Sequence, residues 1–263
     1  MSNDLVPLTS DADGLPGPVQ SAIAEIAARH RAAGGVMMKL VNAAGGQIEN
    51  RLELLPDRVK DRIEGATRGA LEAAYGLAAQ SHRSDDPLRG DRGHLALATL
   101  TGALGGLGGL TTALAELPVT TAVIFRSIQT IAAGHGFDPA DPAIRAECLQ
   151  VFAAGSPLED DDGVNTSFLA ARVTLTGPGL QRLIASISPR FAALLGQKLA
   201  AQAVPILGAV TGAGINYTFM DYFQEMAHVR FGLMRLGQKH DPKVIGAAFK
   251  AAVAQGKLAA PTP

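Results

Sequence analysis

The sequence predicts an all-α protein, and three observations carry that expectation. Alanine and leucine dominate an apolar content of 47%, whereas aromatic residues make up 5% and tryptophan is absent. Ala and Leu head the helix scale, while strands favour β-branched and aromatic side chains. Apolar residues recur three and four apart along most of the chain, and no period-two alternation lasts beyond a few residues. Pro, Gly and Asp then punctuate the chain as helix starts and stops.

Residues 1–18 are rich in Pro, Gly, Asp and Ser, the composition of a flexible N-terminal arm. A helix is expected over 19–33, with Val19, Ile23 and Ile26 on one face and Gly34-Gly35 as its stop. A second is expected over 36–54. A third opens at Pro56 and runs to about Gln80, with Val59, Ile63, Ala66, Ala70, Leu71 and Ala74 at helical spacing. The charged stretch "SHRSDDPLRGDRG" reads as a loop. After it, residues 95–115 carry no charge, and Pro118 is expected to open a further helix reaching Ala133. Asp141-Pro142 marks a helix start, because Asp caps free amides and Pro suits the first turn.

"SPLEDDDGVN" reads as an acidic surface loop, with helices expected over 166–176 and 189–202. A second uncharged span, 199–220, is interrupted by Pro205, Gly208, Gly212 and Gly214. A long apolar-faced block follows, and Asp241-Pro242 opens a final helix. The expected organisation is one multi-helix domain over 19–256, between the arm and a flexible tail at 257–263.

Residues 95–115 are long enough to cross a bilayer. On a helix, Leu97, Leu100, Leu104, Leu107 and Leu114 line one side, with Gly102, Gly106 and Gly109 opposite. Such a small-residue stripe lets another helix approach closely. Aromatic anchors are missing at both ends, and each glycine costs about 1 kcal/mol of helix propensity unless close packing recovers it. The expectation is therefore a glycine-rich apolar hairpin at the centre of the domain, rather than a membrane span.

Composition also excludes several functions. Net charge is −1 with no basic stripe, so a nucleic-acid partner is not expected. A single cysteine, Cys148, excludes an intrachain disulfide and a multi-cysteine zinc site. The N-terminus has no basic region followed by an apolar run, so a cytoplasmic address is expected. Nothing near Cys148 lowers its pKa, and neither a Gly-x-Ser-x-Gly elbow nor a phosphate-binding loop occurs. The acidic run Glu159–Asp162 lacks calcium-loop spacing. No cofactor is expected.

Two constellations remain. Arg126 stands in an apolar helix with Glu116 the nearest charge before it, so it is expected in the interior, paired with a carboxylate. Glu116, Glu147 and Asp221 are the candidate partners. The bland account is a structural ion pair; the functional one is an anion or lipid-headgroup contact. Asp221, Glu225 and His228 share one helix face, and Glu225-x-x-His228 is half of the motif used by carboxylate-bridged di-iron bundles. No second Glu-x-x-His occurs. With Gly232 and Arg235 continuing that stripe, a solvated polar face is the better account than a metal site. Ile215, Phe219, Phe223, Met226 and Leu233 form the opposite, core-facing stripe.

The order of motifs carries a resemblance. "GGVMMKLVNAAGGQIENRLELLP" precedes the glycine-rich segment, followed by "ELPVTTAVIFRSIQTIAAGHG", "AECLQVFAAGS" and "INYTFMDYFQEMAHVRFGLMRL". Over roughly 34–246 this resembles the EcsC family of bacterial proteins, named from a gene beside an ABC-type exporter. The resemblance implies an all-α cytoplasmic protein linked to the membrane or to export, and it supplies no catalytic residue list. Family members often carry His directly after the Asp of the last block and a doubled Arg before its final Leu. Tyr222 and Met234-Arg235 stand there in this chain, a departure that argues against a metal role.

The first reading is accordingly an accessory or interaction protein, peripheral at the inner membrane, with an exporter or other inner-membrane partner. A helical hydrolase or metalloenzyme built on the Asp221/Glu225/His228 face is the alternative. A third reading is a module that homo-oligomerises through its glycine-lined hairpin.

Overall fold

A computed structural model describes residues 14–43, 57–80, 109–152, 177–202 and 208–258. They form seven helices and no strand among the described residues. These are α1 (Gly17–Ala43), α2 (Asp57–Gln80), α3 (Gly109–Gly134), α4 (Pro142–Val151), α5 (Gly177–Gln202), α6 (Gly208–Gly237) and α7 (Pro242–Leu258). The all-α expectation holds. The 95–108 part of the glycine-rich stretch, with Gly102 and Gly106, and the 44–54 and 166–176 segments lie outside the described residues.

Three helix boundaries differ from expectation. Gly34-Gly35 does not stop α1, which continues to Ala43. Neither glycine has a positive φ, so the left-handed geometry of a glycine stop is not adopted. Pro118 and Pro189 do not open helices but stand inside α3 and α5. Both prolines are exposed, so the carbonyl that loses its donor one turn earlier can turn to water. In each case the helix runs through a local breaker signal.

The starts at Asp141 and Asp241 are as expected. Asp141 Oδ1 accepts from the Ala143 amide and Asp241 Oδ1 from the Lys243 amide, both at 2.8 Å, with Pro142 and Pro242 at the first turn. On α2, Ile63, Ala70, Leu71 and Ala74 are buried as their spacing implied.

Helix α6 is the organiser, packing on α1, α3, α4, α5 and α7. Eight of the chain's nine phenylalanines are among the described residues, and all eight are buried. Phe152 sits at the hub of an aromatic cluster: its ring centre lies 4.7 Å from Phe191, 5.2 Å from Phe223 and 6.2 Å from Phe125. The apolar face expected on the last block is core at Phe219, Phe223, Met226 and Leu233.

Two contacts fix helix directions. Ser127 pairs with Gln224 and His135 with His228, so α3 and α6 run in the same sense. Arg29 reaches Glu225 while Ile26 lies against Gly232, so α1 runs antiparallel to α6. No helix among the described residues is long and apolar enough to cross a membrane.

Candidate functional site

The end of α3 is where the most polar part of the α6 face is met. "GHGF" closes α3 as a Schellman cap. The Phe137 amide donates to the Ala132 carbonyl at 3.0 Å and the Gly136 amide to the Ala133 carbonyl at 2.9 Å, with Gly136 at φ +87°. Phe137 then anchors the turn by burying its ring 5.5 Å from that of Phe231. His135, one residue before the glycine, is thereby held against α6.

His135 Nε2 lies 3.1 Å from His228 Nδ1. The 5.4 Å between ring centres exceeds that separation by about both ring radii, so the two nitrogens meet head-on. A head-on N–H···N contact holds one bridging proton, with one ring donating and the other accepting. The pair can take up one further proton and keep the bridge; a second would set two N–H groups against each other. Burial, then the basic groups His228, Arg235 and Arg29, hold the His135 pKa below the ordinary imidazole value.

One turn before His228, Glu225 Oε1 accepts from Arg29 of α1 at 3.1 Å, and both side chains are about a third exposed. One turn after it, Gly232 marks the close approach of α1. A Cβ there would stand 3.1 Å from Ile26 Cδ1 and 3.8 Å from His135 Cε1. Arg235 follows, exposed, near the end of α6.

The face expected to be solvated is therefore half-buried beneath α1 and the end of α3. Its two Glu-x-x-His side chains go to different partners, Glu225 to Arg29 and His228 to His135. Among the described residues no group of three or more His, Cys, Asp or Glu could hold a metal ion. Asp221 is half-buried on the same helix.

A buried ion pair that the sequence did not flag is formed by Arg230 of α6. Arg230 donates through Nε (2.8 Å) and Nη2 to Glu147 Oε2 of α4, and through Nη2 to Gln150 Oε1. Only 12% of the Arg230 side chain and 6% of that of Glu147 is exposed. Burial works against the charge on Arg230, and Glu147 opposes that effect. Glu147, one of the acids considered for Arg126, is thus taken by another arginine. Arg126 is half-buried on α3; Glu116 and Gly109 fall within the same helix. Cys148, beside Glu147, is fully buried, and desolvation pushes its thiol pKa up, the opposite of a reactive thiolate.

Sequence reasoning placed Glu225 and His228 on one face but missed Arg29, His135 and Arg230. The "GHGF" stop was the one local signal for His135, since a glycine cap fixes the residue before it.

Toward the other end of the α3/α6 pair two apolar side chains are exposed. Val119 and Tyr217 are the exposed large hydrophobic residues among those described, at 52% and 50%. Counted back from the Ser127–Gln224 contact at about 1.5 Å per residue, Val119 stands about 12 Å and Tyr217 about 10 Å toward the same end. The parts of the two uncharged stretches that lie in these helices, 109–115 and 208–220, form the starts of α3 and α6.

A model of the EcsC protein family matches residues 20–236 of the chain. No curated protein and no solved structure matches it.

Proposed function

The chain belongs to the EcsC protein family, and on that premise we propose that it is an accessory protein that docks peripherally on the cytoplasmic face of the inner membrane, where it serves an ABC-type exporter or another membrane partner. The observation that carries this reading is the exposure of Tyr217 and Val119 toward the start of the α3/α6 pair, where uncharged sequence at 109–115 and 208–220 forms the first turns of both helices. Tyrosine suits a lipid interface because its ring enters the acyl boundary while its hydroxyl stays in the headgroup layer. Burial of a few such side chains gives reversible attachment, in keeping with the helices among the described residues, none of which is long and apolar enough to span.

Flotation with liposomes of anionic bacterial lipid composition tests this reading. The wild-type protein should float with the lipid and be released by an alkaline wash. Val119→Asp/Tyr217→Asp should remain in the soluble fraction with unchanged helical circular dichroism. Failure of the wild type to float, or flotation of the double variant, would overturn the proposal.

A further inference from the structure

We propose that Arg29, His135, His228 and Arg235 form a binding site for a phosphate-class dianion, at the end of the α3/α6 pair opposite Val119 and Tyr217. The site is separate from the docking surface. His135 lies about 24 Å beyond Val119 along α3, and Arg235 about 27 Å beyond Tyr217 along α6.

Three features point to an anion. The first is the sign of the charge. The groups that, after burial, hold the His135 pKa down are basic: His228 and Arg235 from α6, and Arg29 from α1. Glu225 is the carboxylate in contact with this cluster, and it is turned to Arg29. The second is Arg235, which is exposed and makes no ion pair among the described residues, although it follows His228 by two turns on the same face. A guanidinium fork so placed is suited to a phosphate. The third is the histidine pair itself. Its head-on contact can hold one added proton without breaking, because an imidazolium can donate to its neutral neighbour. The site can thus gain one positive charge in place when an anion arrives.

The donors come from three parts of the chain: Arg29 from α1, His228 and Arg235 from α6, and His135 from the turn that follows α3. A tetrahedral phosphate, with oxygens in several directions, matches this better than a flat carboxylate. The metal alternative is unfavourable on the same grounds, since two arginines would repel a cation at the pair.

Sulfate is the first probe, because its charge stays constant across the imidazole range and any pH dependence must come from the protein. Sulfate should raise the titration midpoint of the His135 ring resonances by about one unit. By linkage its affinity should then rise about tenfold from neutral-alkaline to mildly acidic solution. Arg235→Gln should weaken sulfate binding about tenfold or more and remove the midpoint shift, with thermal stability unchanged. Tyr217→Asp should leave sulfate binding intact, so a failure of membrane docking is distinguishable from a failure of this site.

Competition separates the sources of the phosphate. Displacement of sulfate by phosphatidic acid vesicles assigns a lipid headgroup, and displacement by inorganic phosphate alone assigns a soluble phosphate compound; either supports the site. Sulfate that leaves the His135 ring resonances unmoved overturns the proposal. So does an equal shift in Arg235→Gln, or displacement by neither phosphate source.

Discussion

Arg230 of α6 and Glu147 of α4 form a buried ion pair whose partners are 83 residues apart in the chain, completed by Gln150 one turn along α4. Removing one partner leaves a buried charge without compensation. Glu147→Ala should therefore cost about 3–5 kcal/mol in urea unfolding. Replacing both, as Glu147→Leu/Arg230→Met, should recover much of that loss, because an apolar pair of similar volume meets no desolvation penalty. A double variant no more stable than Glu147→Ala would show that the pair does not act as a unit.

The histidine contact makes stability depend on pH in a defined direction. The folded-state pKa of His135 lies below 6.5, its ordinary value, so the unfolded chain binds more protons in the window between the two. Stability should therefore fall as pH drops through 6.5 toward the folded pKa, and level off below it. His135→Asn should flatten that part of the urea-midpoint profile. An unchanged slope would assign the acid sensitivity to other groups.

Gly136→Ala tests the cap that sets His135 in place. At φ +87° an alanine is strained, so the substitution should cost about 1–2 kcal/mol. It should also shift the ring resonances of His135 and His228, which a merely global loss of stability would leave unmoved below the unfolding transition.

Gly232→Leu should be harmful for a steric reason. A Cβ at Gly232 already stands 3.1 Å from Ile26 Cδ1, so a longer side chain must push α1 off α6. Overpacking of this kind costs about 1–3 kcal/mol. Ile26→Ala in the same chain should restore part of the loss, and no change of charge nearby should do so.

What could be read before the fold was known follows the range of the physical signal. The caps at Asp141 and Asp241 were legible because a side chain and the amide it accepts from are two residues apart. The core stripe Phe219, Phe223, Met226 and Leu233 was legible because helical periodicity is local. Gly34-Gly35, Pro118 and Pro189 misled because a breaker's cost is local, while the packing that offsets it comes from helices elsewhere in the chain. That the Arg230–Glu147 pair was missed has the same origin. Arg126 and Arg230 both interrupt apolar helices, and nothing within either helix says which will face α4.

The sequence by itself determined the helical class, the family, the capped starts of α4 and α7 and the inward stripe of α6, all set by residues within a few turns of one another. Only the tertiary structure decided that Glu225 meets Arg29 across 196 residues, that His228 meets His135 across 93, and that Glu147 belongs to Arg230. Charge and hydrogen bonding are satisfied by any partner of the right kind at about 3 Å. The choice among those partners is made by how the apolar faces pack, and that choice brings basic groups from α1, α3 and α6 to one end of the bundle and leaves Val119 and Tyr217 exposed toward the other.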